Sequence, residues 1–550
     1  MTNKEIARAF KLAGQLLELH DENPFKVRSF QNAAFKVERL PEALETMDAA
    51  AIAGIEGIGK SLQARILELN ERGSFDELDE LKSKTPEGIL EILSIKGLGP
   101  KKVRTLWQEL EIQSVGELLY ACQENRLVTL KGFGEKTQEQ VRHSIEYAQS
   151  NKGKFLYAVI EPLALQLLAD LRQTSGIGSA DWTGTLRRGC EIIETAEFVT
   201  AATTEKITAF LADHPLVAGQ PVSTDGTMVR SSLAGRLPLV FHCCSEKAFG
   251  NTLLRTTGDE AHLARLSSAF NWNASLEGSE VEIYRTIGYA FPEPELREEL
   301  WETRQRPDTS KLITEADLRG ILHNHSTWSD GTHSLEVMAR YCQELGYEYL
   351  GICDHSRSAF YANGLSIERV AEQHKEIEAL NKKLAPFRIL KGIESDILTD
   401  GSLDYPDEIL DTFDLVVASV HSVLKMDENK ATARLIRAVE HPATTILGHP
   451  TGRLLLSRPG YPIDHRKVID ACAANDVIIE LNANPYRLDI DWRWIPYALD
   501  KGVMISINPD AHRKEGYHDM HFGVRAARKG GLTKEMTFNA LLLVELEKRL

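Results

Sequence analysis

Histidine is spread unevenly along this chain: five of its 17 histidines precede residue 317 and twelve follow it. Among the later ones and their acidic neighbours, nine residues have the types that ligate metal: His323, His325, Asp330, His355, Glu394, His421, His449, Asp510 and His512. Imidazole nitrogens mixed with carboxylate oxygens suit Mn²⁺, Zn²⁺ or Fe²⁺. Such ions lower the pKa of a bound water towards ~7, so a metal site that activates water is the chemistry to expect. Two arginines follow ligand-type histidines. Arg357 and Arg453 could each fork onto phosphate oxygens, or pair with an acid at the rim. Asp354 could orient a histidine or cap a turn, Tyr361 could stack on a terminal base or pack at the rim, and Asn482 and Asn484 could hydrogen-bond a substrate. His333, His518 and His521 lie outside this pattern and are read as surface or supporting residues.

The elements that must position these groups are seven short apolar runs, at 318–322, 349–353, 389–393, 415–420, 445–447, 477–481 and 503–507. Polar loops and amphipathic stretches separate them, the rhythm of a β/α barrel. The nine residues fall where six of the seven runs stop, and catalytic groups of such barrels come from the C-terminal ends of strands. His323 and His325, at i and i+2, share a strand face.

A second pattern lies in residues 1–150. Gly57-Ile58-Gly59-Lys60, Gly97-Leu98-Gly99-Pro100-Lys101-Lys102 and Gly132-Phe133-Gly134-Glu135-Lys136 each follow an apolar lead-in and precede a helical pattern. Glycines permit a tight turn, and the helix start then offers free N–H groups to a phosphate oxygen, with a lysine adding charge. This resembles the helix-hairpin-helix, which grips the DNA backbone without reading its sequence. The expected DNA-binding set is Gly57, Gly59, Lys60, Gly97, Gly99, Lys101, Lys102, Gly132, Gly134 and Lys136. Backbone amides explain how a chain of net charge −16 could hold DNA.

With 550 residues, 43% apolar and 26% charged, the chain is an ordinary multidomain globular protein rather than a disordered or fibrous one. No apolar run reaches the ~18 residues of a membrane span, and the N-terminus has no signal-peptide core. Seven cysteines without a CxxC argue against a disulfide framework. A cytoplasmic monomer is expected.

Gly184-Thr185-Leu186-Arg187-Arg188-Gly189, then Ala248-Phe249-Gly250, Thr257-Gly258 and 291–297 (FPEPELR), complete a resemblance over essentially the whole chain to the bacterial family X DNA polymerases. The residues after 317 resemble a PHP (polymerase and histidinol phosphatase) domain. The resemblance implies an all-α helix-hairpin-helix region (1–85 lyase-like, 86–150 fingers-like), an α+β nucleotidyltransferase-like palm and thumb-like region (151–300), a linker (301–317) and a distorted (β/α)7 PHP barrel (318–550). It implies a trinuclear site. His323, His325, Glu394 and Asp510 would hold one ion, Glu394, His421 and His449 a second, and Asp330, His355 and His512 a third. It implies a nucleotide site at Gly184, Thr185, Arg187 and Arg188.

The chain departs from the family in two places. The positions of the palm's D-x-D pair fall on Thr195 and Glu197 and the third aspartate on Val240, leaving one of three carboxylates for Mg²⁺. A shifted set of Glu191, Glu194 and Glu197 would not share one strand face. The imine-forming lysine of the family's eukaryotic members is matched here by Arg65, with Lys60 and Lys26 as the nearby alternatives. The leading expectation is a DNA repair enzyme with 3′–5′ exonuclease action and polymerisation lost. The alternatives are a working gap-filling polymerase with proofreading, a non-catalytic DNA-end binder and a small-molecule phosphomonoesterase.

Overall fold

Residues 1–146 form one compact unit and 147–550 another. The computed structural model describes all residues except 39, 41, 56, 57, 96, 151 and 152.

The first unit is helical, as its apolar periodicity predicts. The helix Asn3–Leu19 opens on a capping box in which Thr2 and Glu5 each bond the other's backbone. It buries Ile6, Phe10, Ala13 and Leu17, and packs against the helix Pro24–Glu38. Phe10, Phe30 and Phe75 meet at its centre with ring centroids 5.7, 6.0 and 5.9 Å apart. Arg65 stacks 5.3 Å above Phe30 and donates from Nε to Glu77 at 3.1 Å, and Lys26 pairs with the same glutamate. Neither Arg65 nor Lys26 is left as a free amine nucleophile.

The second unit contains two sheets and a two-stranded ribbon, β1 (Phe155–Leu156) with β3 (Ile192–Ile193). The smaller sheet has the order β2-β4-β7-β6-β5, formed by β2 (Ala180–Thr183), β4 (Ala196–Thr200), β5 (Val217–Thr224), β6 (Met228–Leu233) and β7 (Leu237–Cys243). β4 and β7 run parallel and the other pairs antiparallel. One face packs Ala196, Phe198, Leu239 and Phe241 into a core. By the two-residue period of a strand the other face carries Glu197, Val240 and His242.

All seven apolar runs after residue 317 become parallel strands in consecutive order: β8 (Gly320–Ile321), β9 (Tyr349–Ile352), β10 (Arg388–Asp396), β11 (Leu415–Ser419), β12 (Ile446–Leu447), β13 (Ile478–Asn482) and β14 (Ile505–Asn508). A bridge between Asn324 and Ala511 and a bond from Leu322 N–H to Asn508 Oδ1 (3.3 Å) nearly close the ring. Tyr349, Leu390, Leu415, Val417, Ile446 and Ile478 pack together with Phe538 and Leu546. Further along, the same strand faces turn from Leu390 to Glu394, four residues on, and from Ile478 to Glu480, two residues on. The barrel thus changes from apolar to polar towards the C-terminal ends of its strands.

The stretch 301–317, expected to be a linker, is fastened down. It contributes Trp301, Leu312 and Ile313 to buried surface. Trp301 Nε1 donates to the Lys529 carbonyl at 3.0 Å and Ile313 N–H to Leu532 at 3.0 Å. Among the described residues no helix is long and apolar enough to cross a membrane.

Candidate metal centre and nucleic-acid interface

The nine ligand-type residues converge at one end of the barrel. In the second unit, three groupings have ligand atoms mutually within 4.8 Å: His323, His325, Glu394 and Asp510; His325, Asp330, His355 and His512; and His355, Glu394 and His421. Glu394, at the end of β10, lies among them. Its Oε1 is 3.0 Å from His449 Nε2, 3.1 Å from His421 Nε2 and 3.4 Å from His323 Nε2. Its Oε2 is 3.0 Å from His355 Nδ1 and 3.6 Å from His325 Nε2. Asp510 Oδ1 lies 2.9 Å from His325 Nε2, and Asp330 Oδ1 3.3 Å from His512 Nε2. His449 and Asp510 hold left-handed backbone, φ 21° and 53°. Such strain collects at functional sites.

The donor set fits divalent ions on an internal criterion. His323 Nε2, His325 Nδ1, both ring nitrogens of His355 and Glu394 Oε2 are buried without a hydrogen-bond partner, although carboxylates and imidazoles surround them. Buried polar atoms are normally paired, so atoms that converge without bonding one another suit a shared cation. The electrostatics agree. Burial pushes the Glu394 carboxyl up, but the charges of His421, His323 and His355 outweigh it and hold the group well below its ordinary value. Burial opposes charge on His421, yet Glu394 and Asp396 lift it to about 10. His325, buried beside His512 and His355, falls to about 3 and is neutral, the form that ligates. Protons thus balance the carboxylates, and a bound cation would displace them.

Two carboxylates that the sequence reading passed over orient the histidines. Glu480 accepts from His323 Nδ1 at 2.7 Å, His449 N–H at 3.1 Å, Asn482 Nδ2 at 3.2 Å and Asn508 Nδ2 at 3.0 Å. Asp396 holds His421 Nδ1 at 2.5 Å and Ser358 Oγ at 2.6 Å. Both were legible in principle. Glu480 is a lone acid inside an apolar run, and Asp396 follows Glu394 by two and so shares its strand face.

Several neighbours take the plainer of their expected roles. Asp354 caps a turn, accepting from the N–H groups of Ser326 (2.8 Å) and Ser329 (3.1 Å) and from Gln373 (2.6 Å). Asn482 does not face a substrate, because its amide bonds Glu480 and Asp510 Oδ2 (3.1 Å). Arg453, expected as a phosphate clamp, is paired within the fold. Its guanidinium is spent on Asp491 (2.5 Å) and on the carbonyls of Arg487 (2.8 Å) and Leu488. Arg357 binds the Asp404 carbonyl at 2.7 Å, yet half of its side chain stays exposed.

In the smaller sheet, register sets Glu197 directly across from Val240. Glu197 pairs with His242 at 2.9 Å and lies against Gly184, where a Cβ would come within 2.8 Å of its Oε1. Glu194 pairs with Lys154 and Glu191 with Arg493, so the shifted carboxylate set does not assemble. Among the described residues, no group of three ligand-type side chains converges on this sheet. The arginines expected at a nucleotide site are ion-paired. Arg187 forks onto Glu280 at 2.9 and 2.6 Å, and Arg188 binds Glu298 at 3.0 Å and the Thr257 carbonyl at 2.6 Å. Thr185 lies in the same short helical turn as Gly184 and Arg187, and its carbonyl accepts from Cys190 N–H at 3.0 Å.

In the first unit the three glycine turns share two features among the described residues. The apolar residue between the glycines is buried in each, and its N–H bonds the residue three back: Ile58 to Ile55 (3.1 Å), Leu98 to Ile95 (3.2 Å) and Phe133 to Leu130 (3.0 Å). Gly59 and Gly99 are the N-caps of the helices Lys60–Arg72 and Pro100–Glu109, and Gly134 precedes Glu135–Ser150. Gly97 and Gly132 take φ of 94° and 90°, which only glycine adopts freely. Lys60, Lys101 and Lys136 are exposed beside these turns, and Lys102 lies 5.4 Å above Phe133. Gly57 lies outside the described residues.

Fold and site together define a class: helix-hairpin-helix modules and an α+β domain on one chain with a PHP-type barrel whose histidine and carboxylate cluster can bind metal. A helix-hairpin-helix domain model matches residues 1–75 and a SAM-like helix-hairpin-helix tandem model residues 89–145. The chain is 34% identical to the DNA polymerase/3′-5′ exonuclease PolX of Bacillus subtilis, over 100% of its own length and 99% of that protein. It therefore belongs to the PolX family of bacterial family X DNA polymerases. A probable phosphatase of Thermoanaerobacter sp. matches 35% of the chain and 85% of its own length at 27% identity. One of Caldanaerobacter subterraneus matches 30% and 72% at 28%.

Proposed function

We propose that this protein is a metal-dependent phosphodiesterase that removes nucleotides from DNA 3′ ends. The observation that carries this reading is the convergence of nine ligand-type residues, seven of them buried, at whose centre His323 Nε2, both ring nitrogens of His355 and Glu394 Oε2 make no hydrogen bond. The helix-hairpin-helix turns supply amide and lysine contacts to DNA phosphates, and the PolX relative's name includes 3′-5′ exonuclease.

Divalent ions held by His323, His325, Asp330, His355, Glu394, His421, His449, Asp510 and His512, up to three of them, would supply an activated water and clamp the scissile phosphate. Mn²⁺, Zn²⁺ and Fe²⁺ suit this donor set. The chain's own part is orientation. Glu480 and Asp396 fix the tautomers of His323 and His421 through their Nδ1 atoms, leaving Nε2 facing the centre. Arg357, half exposed, is the remaining phosphate contact. The smaller sheet, with Glu197 as the remaining carboxylate of the three palm positions and its arginines paired, serves as a scaffold rather than a site of nucleotide addition.

The test is a 5′-labelled primer–template incubated with Mn²⁺, with and without dNTPs. Shortening by the wild type and none by the double variant His323→Ala/Glu394→Ala is expected. Absence of shortening, or equal shortening by the variant, overturns the reading. Template-directed extension with dNTPs would establish the polymerase instead.

A further inference from the structure

Phe360 is 89% exposed, the most exposed large apolar side chain among the described residues. It lies on the loop after β9, five residues beyond His355. That loop is tightly held. Ser358 N–H donates to Asp404 at 2.7 Å and its Oγ to Asp396 at 2.6 Å, while Leu365 N–H returns to the His355 carbonyl at 2.9 Å. Gly364 passes so close to the Ser356 carbonyl that a Cβ would sit 1.9 Å from it. The chain is thus pinned on both sides of Phe360, and the ring is held out in water by construction. The neighbouring Tyr361 turns inward, its ring 6.2 Å from that of His355. On the loop after β11, Val423 is 54% exposed at φ 54°, a backbone region that β-branched residues avoid. It follows His421 by two residues, and the His421 and His355 rings are 5.0 Å apart. Two exposed apolar side chains therefore sit on the loops that carry these two adjoining histidines. The half-exposed guanidinium of Arg357 shares the Phe360 loop.

An exposed ring held at the mouth of a phosphoester site matches the flat face of a nucleobase, which stacks on aromatic side chains whatever its identity. We propose that Phe360 is the platform on which the 3′-terminal base stacks, with Val423 on the neighbouring loop. This inference rests on the exonuclease reading and adds the side chain that positions its substrate.

The experiment compares wild type, Phe360→Ala and Phe360→Trp on 5′-labelled single strands, once with an ordinary 3′-terminal nucleotide and once with a terminal abasic analogue. On the ordinary end Phe360→Ala should lose about 5- to 100-fold in kcat/KM, mostly through KM, the size of one lost base–aromatic stack. Phe360→Trp should restore it. On the abasic end the wild type should itself fall to the level of Phe360→Ala, and the substitution should cost nothing more. An unchanged Phe360→Ala on the ordinary end, or an equal loss on both ends, overturns the platform while leaving the exonuclease in place. Failure of the wild type to cut either strand overturns both.

Discussion

The charge balance of the barrel mouth turns on single residues, and Glu480 is the most informative of them. Four donors fill its acceptor positions, two of them belonging to His323 and His449. Carboxylates that hold the far nitrogen of a ligating histidine fix its tautomer and raise its basicity, and losing them typically costs 10–100-fold in metal affinity. Glu480→Gln keeps the shape but removes the charge, and its amide must turn a donor towards at least one donor already present. We expect Mn²⁺ affinity, measured by titration calorimetry, to fall within about that 10–100-fold range while the far-ultraviolet circular dichroism stays unchanged. Affinity equal to wild type would show that His323 needs no such support. Asp396→Asn should act in the same direction through His421, since its Oδ1 is 2.5 Å from that ring.

At the scale of elements, the glycine turns make a prediction about salt. Each turn buries one apolar residue and leaves a lysine exposed at the start of a helix. Each phosphate contact by a lysine adds about 0.9 to the slope of log affinity against log salt. Lys101→Ala and Lys136→Ala should each make that slope shallower by about this amount, read by fluorescence anisotropy on a gapped duplex. Slopes unchanged in both would mean that the amides alone hold the backbone. These turns were legible because their signal is local: glycines at i and i+2, an apolar residue between them and a lysine close behind. The barrel was legible for a related reason. A buried parallel strand is a short apolar run, and its end is marked by the first polar residue that the site requires. The ion pairs were not legible. Arg187 and Arg188 meet Glu280 and Glu298, 93 and 110 residues further along the chain. No local pattern could show that a nucleotide-type motif had its charges spent on partners at such a separation. The acid of Arg453, Asp491, likewise lies 38 residues away.

Across the second unit, the α+β domain and the barrel are joined by buried charge. Lys529 of the helix Met520–Lys529 is 1% exposed, pairs with Glu298 and donates to the Arg188 carbonyl at 3.2 Å. On the same helix His521 reaches Glu161 of the helix Tyr157–Gln173 through Nε2 (3.0 Å) and Glu315 through Nδ1 (2.7 Å). Tyr157 Oη also donates to Glu161 at 2.8 Å, and Arg525 lies 3.9 Å from it. An imidazole with a carboxylate on each nitrogen is best satisfied when doubly protonated. The bond to Glu161, with Glu315 behind it, raises the His521 pKa against the opposing effect of burial. Burial alone would raise Glu161, but His521 outweighs it and holds that carboxyl below its ordinary value. The signs then follow from linkage. His521's contribution to the junction is complete below its unfolded value of 6.5 and drains away as pH rises through the raised folded value. Glu161's contribution is present above 4.5 and is lost as pH falls through the depressed value. Stability of this unit should therefore decline, as pH rises above 6.5 and through the raised folded value, by more in the wild type than in His521→Gln, which has no proton to lose. Differential scanning calorimetry of both proteins, with Mn²⁺ held saturating so that the metal site contributes equally, reads the difference in slope. Parallel curves would show that His521 stays neutral between its two carboxylates.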